Sequence, residues 1–171
     1  NDARQRFIQN SGFLDDKPLT PLKFLTEANL NVIIRRKERD INPSDSRDQL
    51  QDRIRNIFDA KTFNMIAFPA GPYDVPDEVG DGRPQLVLIH YENITVSVEP
   101  DTVPKTIDEM FNTQGAQGNY RQLKNNLFFL VAEDQRVDDM KEKMTRRLAL
   151  EALQTPNQLQ SLPDHQQYKI K

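Results

Sequence analysis

Four carboxylates fall within eight positions of the stretch GPYDVPDEVGDGRP, residues 71–84: Asp74, Asp77, Glu78 and Asp81. Several oxygens on a bendable loop are what calcium or magnesium takes, but the spacing is not that of a helix-flanked calcium loop, and Pro76 stiffens its middle. A phosphate cradle needs glycine-freed backbone amides between a strand and a helix, then a lysine and a hydroxyl. Here Gly71, Gly80 and Gly82 are interleaved with Pro72, Pro76 and Pro84, no lysine is present, and an apolar run reading as a strand follows. The stretch QGAQGNYRQLK, residues 114–124, lacks the lysine-hydroxyl ending and also precedes a strand. Beside a metal site, which stays open as an alternative, the acidic loop has two other readings. It is a solvated crossover whose side chains cap neighbouring amides, or, as long loops often are, a partner contact through Gly71, Asp74, Asp77, Glu78, Asp81 and Arg83.

Two basic islands offer a different chemistry. RRKER, residues 35–39, and KEKMTRR, residues 141–147, present Arg35, Arg36, Arg146 and Arg147 as candidates to face phosphates. The competing reading is a pair of solvated helix faces. His90 ends an apolar strand and His165 sits in a polar terminal segment, so the two do not form a site. Ser44 and Ser97 have no neighbouring histidine and no glycine-flanked elbow, and Asp138 and Asp139, adjacent on a helix, point to different sides. No catalytic, cofactor-binding or metal-ligating residue is assigned.

The elements that must carry these residues follow from apolar periodicity. Leu30, Ile33, Ile34 and Ile41 fall at helical spacing behind Asn29 as a cap, with a strand through NVII as the competing reading. Leu50, Ile54, Ile57 and Phe58 mark a clearer amphipathic helix after Pro43, capped by Ser44 or Asp45. LKFLTE (22–27), FNMIAF (63–68), QLVLIHY (85–91) and NLFFLVA (126–132) read as strands, and ITVSV (94–98) as an edge strand pairing with its predecessor. Thr102 caps a helix that Gly115 ends. A long helix begins near Asp134 with Val137, Met140, Met144 and Leu148 as its seam and with favourable Asp139–Lys143 and Glu142–Arg146 pairs. Thr155 and Pro156 restart a helix that Pro163 interrupts. The pattern predicts an α/β fold: a layered sheet of about four or five mostly parallel strands flanked by amphipathic helices. The expected divisions are an arm or linker over 1–21, a single α/β domain over 22–153 and a helical extension over 154–171.

A chain of 171 residues is long enough to bury a core without disulfides. The absence of cysteine removes thiol catalysis, cysteine-ligated zinc and iron–sulfur chemistry, and suits a cytoplasmic location. With 23 basic and 26 acidic residues interspersed, the formal charge of −3 argues neither for nor against nucleic acid. No apolar run approaches the ~20 residues that span a bilayer, so no membrane partner is expected. The chain starts without methionine and stops within HQQYKIK, and is expected to be a piece of something longer.

The runs FPAGPYDVPDEVGDGRPQLVLIHYENITV and NNLFFLVAEDQRVDDMKEKMTRRLALEAL resemble the domain of unknown function four-nine-nine family, large prokaryotic proteins predicted to be AAA+-type ATPases and often found beside DNA methyltransferases and helicases in anti-phage defence islands. The resemblance covers about residues 22–168. Gly71, Pro72, Asp74, Val75, Pro76, Asp77, Gly80, Gly82, Arg83 and Pro84 match the family's loop pattern, whose role there is not established. The family's nucleotide-binding motifs have no counterpart in this sequence. The resemblance therefore implies a noncatalytic segment downstream of the ATPase module, with ATP and magnesium expected in the parent protein rather than here. Its implied partners are the rest of that ATPase and a DNA methyltransferase, a helicase or DNA. The alternatives from the residues themselves are a stand-alone metal-dependent enzyme using the acidic loop, or a DNA- or partner-binding module.

Overall fold

The computed structural model describes residues 3, 4, 6, 11, 13, 14, 21, 23, 24, 29–59, 61–77, 80–99 and 102–170, excluding the side chain at 165. Much of the expected N-terminal arm and of the strand expected over 22–27 lies outside these residues, as does Glu78. Within that region Leu14 and Phe24 form an isolated antiparallel bridge. The chain divides into two compact units, Asn1–Gln49 with Lys141–Lys171, and Leu50–Met140.

The Leu50–Met140 unit is built on a parallel sheet. β1 (Asn64–Ala67), β2 (Gln85–Leu88) and β6 (Leu127–Leu130) lie in the order β1-β2-β6, with Asn64, Gln85 and Leu127 in register. The central strand reads QLVL and is largely buried on both faces, as parallel strands between covering layers are. On one face Val87, Ile89 and Leu127 pack with Val75 of the acidic loop and with Ile107 and Met110 of helix α3 (Lys105–Asn112). This face joins sheet, loop and helix into one core, each full burial of an aliphatic side chain contributing roughly 1.5–3 kcal/mol. A shorter parallel pair joins β3 (Thr95–Val96) to β7 (Ala132–Glu133). The fold is therefore α/β with a mostly parallel sheet, as the periodicity predicts.

Several local expectations change. ITVSV pairs with residues 132–133 and not with β2: Asn93 and Ile94 donate backbone N–H bonds to the His90 carbonyl, a turn that carries the chain out of the β2 line. Helix α3 starts at Lys105 with Pro104 as its N-cap, not Thr102, and ends at Asn112. Gly115 does not end that helix directly. It opens the turn of an antiparallel hairpin between β4 (Thr113–Gln114) and β5 (Asn119–Tyr120), where its φ of 66° and that of Gly118, 67°, suit residues without a Cβ. Phe68, directly after β1, holds a φ of 58° that is unusual for an aromatic residue. Its ring lies edge-on to His90 at 4.9 Å, and the Arg55 guanidinium sits 5.1 Å above it.

In the other unit, helix α1 (Leu30–Asp40) forms where the strand reading competed, and its start explains why. The Asn29 side chain accepts from the Val32 amide at 3.1 Å while its own amide donates to the Ser11 carbonyl at 2.6 Å, so the cap is also a tether. Helix α2 (Pro43–Phe58) is led by Asn42, whose side chain accepts from the Ser44 amide at 3.0 Å; this replaces the cap expected of Ser44 or Asp45. Helix α4 (Asp134–Leu153) buries Val137 and Met144 of the expected seam. Helices α5 (Pro156–Gln160) and α6 (Asp164–Ile170) follow, broken at Pro163 as expected. Leu30, Ile34, Leu153, Leu162 and Ile170 form this unit's core. No described helix is long and apolar enough to cross a membrane.

Candidate functional site: a clamped acidic loop and an arginine face

Residues 68–84 carry the chain from β1 to the parallel start of β2. A connection of this length would be free to move unless held, and one buried cation holds it. The Arg121 side chain is fully buried. Its Nε donates to the Met110 carbonyl (3.1 Å), its Nη1 to that of Pro76 (2.8 Å), and its Nη2 to those of Val75 (2.9 Å) and Thr113 (3.1 Å). A planar guanidinium with five N–H donors on three nitrogens can satisfy four carbonyls at once; an ammonium has three donors on a single nitrogen. One side chain thereby ties the loop to the end of α3 and to the hairpin. Burial pulls the Arg121 pKa below its ordinary value, while the Asp77 carboxylate, 3.6 Å away, opposes that shift.

Asp77 completes the clamp from the loop side. It accepts the backbone N–H of Gln122 at 2.9 Å and of Leu123 at 3.1 Å, and the Gln114 side-chain amide at 3.3 Å. Gln85, at the start of the central strand, donates to the Pro76 carbonyl at 2.9 Å. The peptide before Asp77 is therefore gripped from two directions. Gly71 is buried, and a Cβ there would stand 3.3 Å from the exposed Tyr73 ring, which would have to move by a few tenths of an ångström to admit it.

Of the carboxylates that suggested a metal, the three among the described residues, Asp74, Asp77 and Asp81, are each committed elsewhere. Asp74 accepts the Ala70 amide at 2.7 Å. Asp81 accepts Asn64 Nδ2 at 2.8 Å and the Arg83 amide at 3.0 Å, and pairs with the Arg83 guanidinium at 2.7 Å. With Asp77 on the hairpin side, the three caps serve three different segments, the role assigned to them by the solvated-crossover reading. Among the described residues no group of three His, Asp or Glu side chains is placed to hold a metal ion. Among the described residues of the loop, Ala70, Tyr73, Asp74, Pro76, Gly80, Asp81, Gly82 and Arg83 are exposed.

Asp81 provides a local pH test. Its backbone bond from Arg83, then the Asn64 and Arg83 side chains, hold its pKa at about 2, below the ordinary 3.8. A depressed carboxyl favours the folded state fully above the unfolded value and loses that contribution as pH falls through about 2. The Asp81 carboxyl resonance is expected to titrate near pH 2, and Asp81→Asn to differ from the wild type in stability only above that range. A midpoint near 3.8 would show that the Asn64–Asp81–Arg83 contacts do not persist in solution.

The basic islands are brought together selectively. Arg35, Arg36 and Arg39 are exposed on α1, and none makes an ion pair or side-chain hydrogen bond among the described residues. Arg146 on α4 pairs with Glu38 of α1 at 3.3 Å, in place of the expected partner Glu142, and so stands beside the α1 arginines. Arg147 instead closes on Glu151 of its own helix at 2.7 Å. The structure thus joins Arg146 to the α1 face, engages Arg147 within α4, and adds Arg39.

Arg121 was not distinguishable from sequence. Its acceptors at residues 75–76 lie 45 and 46 positions away, and no acidic residue at helical spacing marks it. The one available signal was negative: an arginine inside an uncharged polar run, without a local partner.

Comparison of the chain with family models, with curated proteins and with solved structures finds no match.

Proposed function

We propose that this chain is a noncatalytic accessory domain of a larger AAA+-type ATPase linked to phage defence and DNA modification, coupling the ATPase's nucleotide state to DNA or to partner proteins. The observation that carries the noncatalytic half is the clamp. The loop that bears the carboxylates is pinned by a buried arginine, and Asp74, Asp77 and Asp81 act as backbone caps instead of converging on a shared ligand. A loop fixed to two other segments presents an unchanging outer surface, which suits a docking element better than a reacting one. The parent ATPase rests on the family resemblance of residues 68–96 and 125–153.

The test is turnover. The purified chain is expected to show no magnesium-dependent ATP hydrolysis, and no rise in melting temperature with millimolar magnesium or calcium. A polypeptide carrying this segment together with an upstream nucleotide-binding module is expected to hydrolyse ATP. Loop variants such as Tyr73→Ala or Arg83→Ala should then change the response of that hydrolysis to partners without abolishing it. Stoichiometric ATP turnover by this chain alone, lost in Asp74→Asn or Asp77→Asn variants that remain folded, would overturn the proposal.

A further inference from the structure

We infer that the outward face of α1 is a docking surface for the phosphodiester backbone of a nucleic acid. In a helix of 3.6 residues per turn, Arg35, Arg36 and Arg39 occupy positions i, i+1 and i+4 on the side opposite Leu30 and Ile34, which are buried in the core. Arg35 and Arg39 are one turn apart, roughly 6 Å along the axis, with Arg36 beside them. Three guanidiniums are therefore gathered over little more than one turn, and among the described residues they have no ionic partner.

The surrounding charges sharpen this face. Glu38, the acidic residue inside the run, turns toward α4 and is engaged by Arg146, which leaves the outward arc without a counter-charge except Asp40 at its end. Elsewhere Arg55, Arg83 and Arg147 are each closed on a carboxylate at 2.7–3.0 Å, while the exposed Arg53 and Arg136 make no ion pair among the described residues and serve as the comparison for the clustered face. Clustering of like charges costs self-repulsion that an anionic ligand relieves. Guanidiniums bind phosphate oxygens in bidentate fashion, and contacts to phosphate carry no sequence information, so the expected binding is sequence-independent. The arc between the arginines holds only the half-buried Val32 and no exposed large apolar residue, which is unlike an interfacial membrane helix.

This inference rests on the coupling reading and deepens it by naming the chemistry of one partner. The two fail differently, because that reading is tested by ATP turnover and this one by binding to the chain itself.

The probe is a fluorescein-labelled 20-base-pair duplex of arbitrary sequence, followed by anisotropy from 50 to 200 mM salt. Three phosphate contacts predict a log–log slope of about −2.7, which is a loss of roughly 40-fold in affinity across that range. The Arg35→Gln, Arg36→Gln, Arg39→Gln triple variant, with its melting temperature checked against the wild type, is expected to lose at least tenfold in affinity at 50 mM salt. Arg53→Gln with Arg136→Gln, which removes exposed charge in the Leu50–Met140 unit, is expected to leave binding within twofold. Equal binding by the triple variant, a flat salt dependence, or tighter binding of poly-glutamate than of the duplex would overturn the inference, the last in favour of an acidic protein segment.

Discussion

Replacing Arg121 by methionine is expected to lower the unfolding free energy by about 3–5 kcal/mol, the loss typical when one partner of a buried charged network is removed. Methionine fills much of the same space, so the loss comes from the contacts. The carbonyls of Val75, Met110 and Thr113 lose this donor, that of Pro76 keeps only the Gln85 side-chain amide, and Asp77 loses its counter-charge. Each unsatisfied buried acceptor costs about 1–3 kcal/mol when nothing replaces the bond, and partial entry of water accounts for a total below the simple sum. Arg121→Lys is expected to recover little, since the three donors of an ammonium sit on one nitrogen and cannot serve four carbonyls spread around the edge of the guanidinium. Urea denaturation monitored by circular dichroism measures both variants. Amide exchange is expected to show residues 71–77 and 113–123 losing protection together. If Arg121→Met unfolds at the wild-type midpoint, the clamp does not hold the loop. A double-mutant cycle with Asp77→Asn separates the ionic part of the network from the carbonyl bonds.

Leu153→Ala is expected to cost about 2–5 kcal/mol, the range for truncating a fully enclosed leucine. Leu153 is 2% exposed and meets Leu30, Ile34, Leu162 and Ile170, so it joins the last turn of α4 to the helix that displays the arginine face and to the terminal helix α6. The cavity would be lined by side chains of α1, of α6 and of the turn at Leu162, and it closes only as far as their backbones shift. Hydrogen exchange should show α1 and α6 opening at lower free energy than in the wild type. Duplex binding should weaken in parallel, because α1 must be helical to place Arg35, Arg36 and Arg39 on one side. A Leu153→Ala variant with unchanged exchange in α1 would show that this core does not organise the arginine face.

The amino-acid sequence by itself determined the elements whose signals are local. Apolar spacing marked α1, the long α4 and the three parallel strands, because 3.6-residue and two-residue periodicities are properties of neighbouring positions. Asn29 was legible as a cap for the same reason: its acceptor reaches an amide three residues away. Asp74 and Asp81 were legible as caps, since they serve amides within four residues. Only the tertiary structure decided what depends on distant pairs. ITVSV reads as an edge strand, but its partner at 132–133 is 37 residues away, and alternation says nothing about which strand lies beside it. Arg146 looks like a partner for Glu142 at i, i+4, yet the packing of α1 against α4 brings Glu38 within reach. Arg121 is the extreme case. It looks like an ordinary solvated arginine until the fold closes four carbonyls and a carboxylate around it, and no composition or period in the chain records that enclosure.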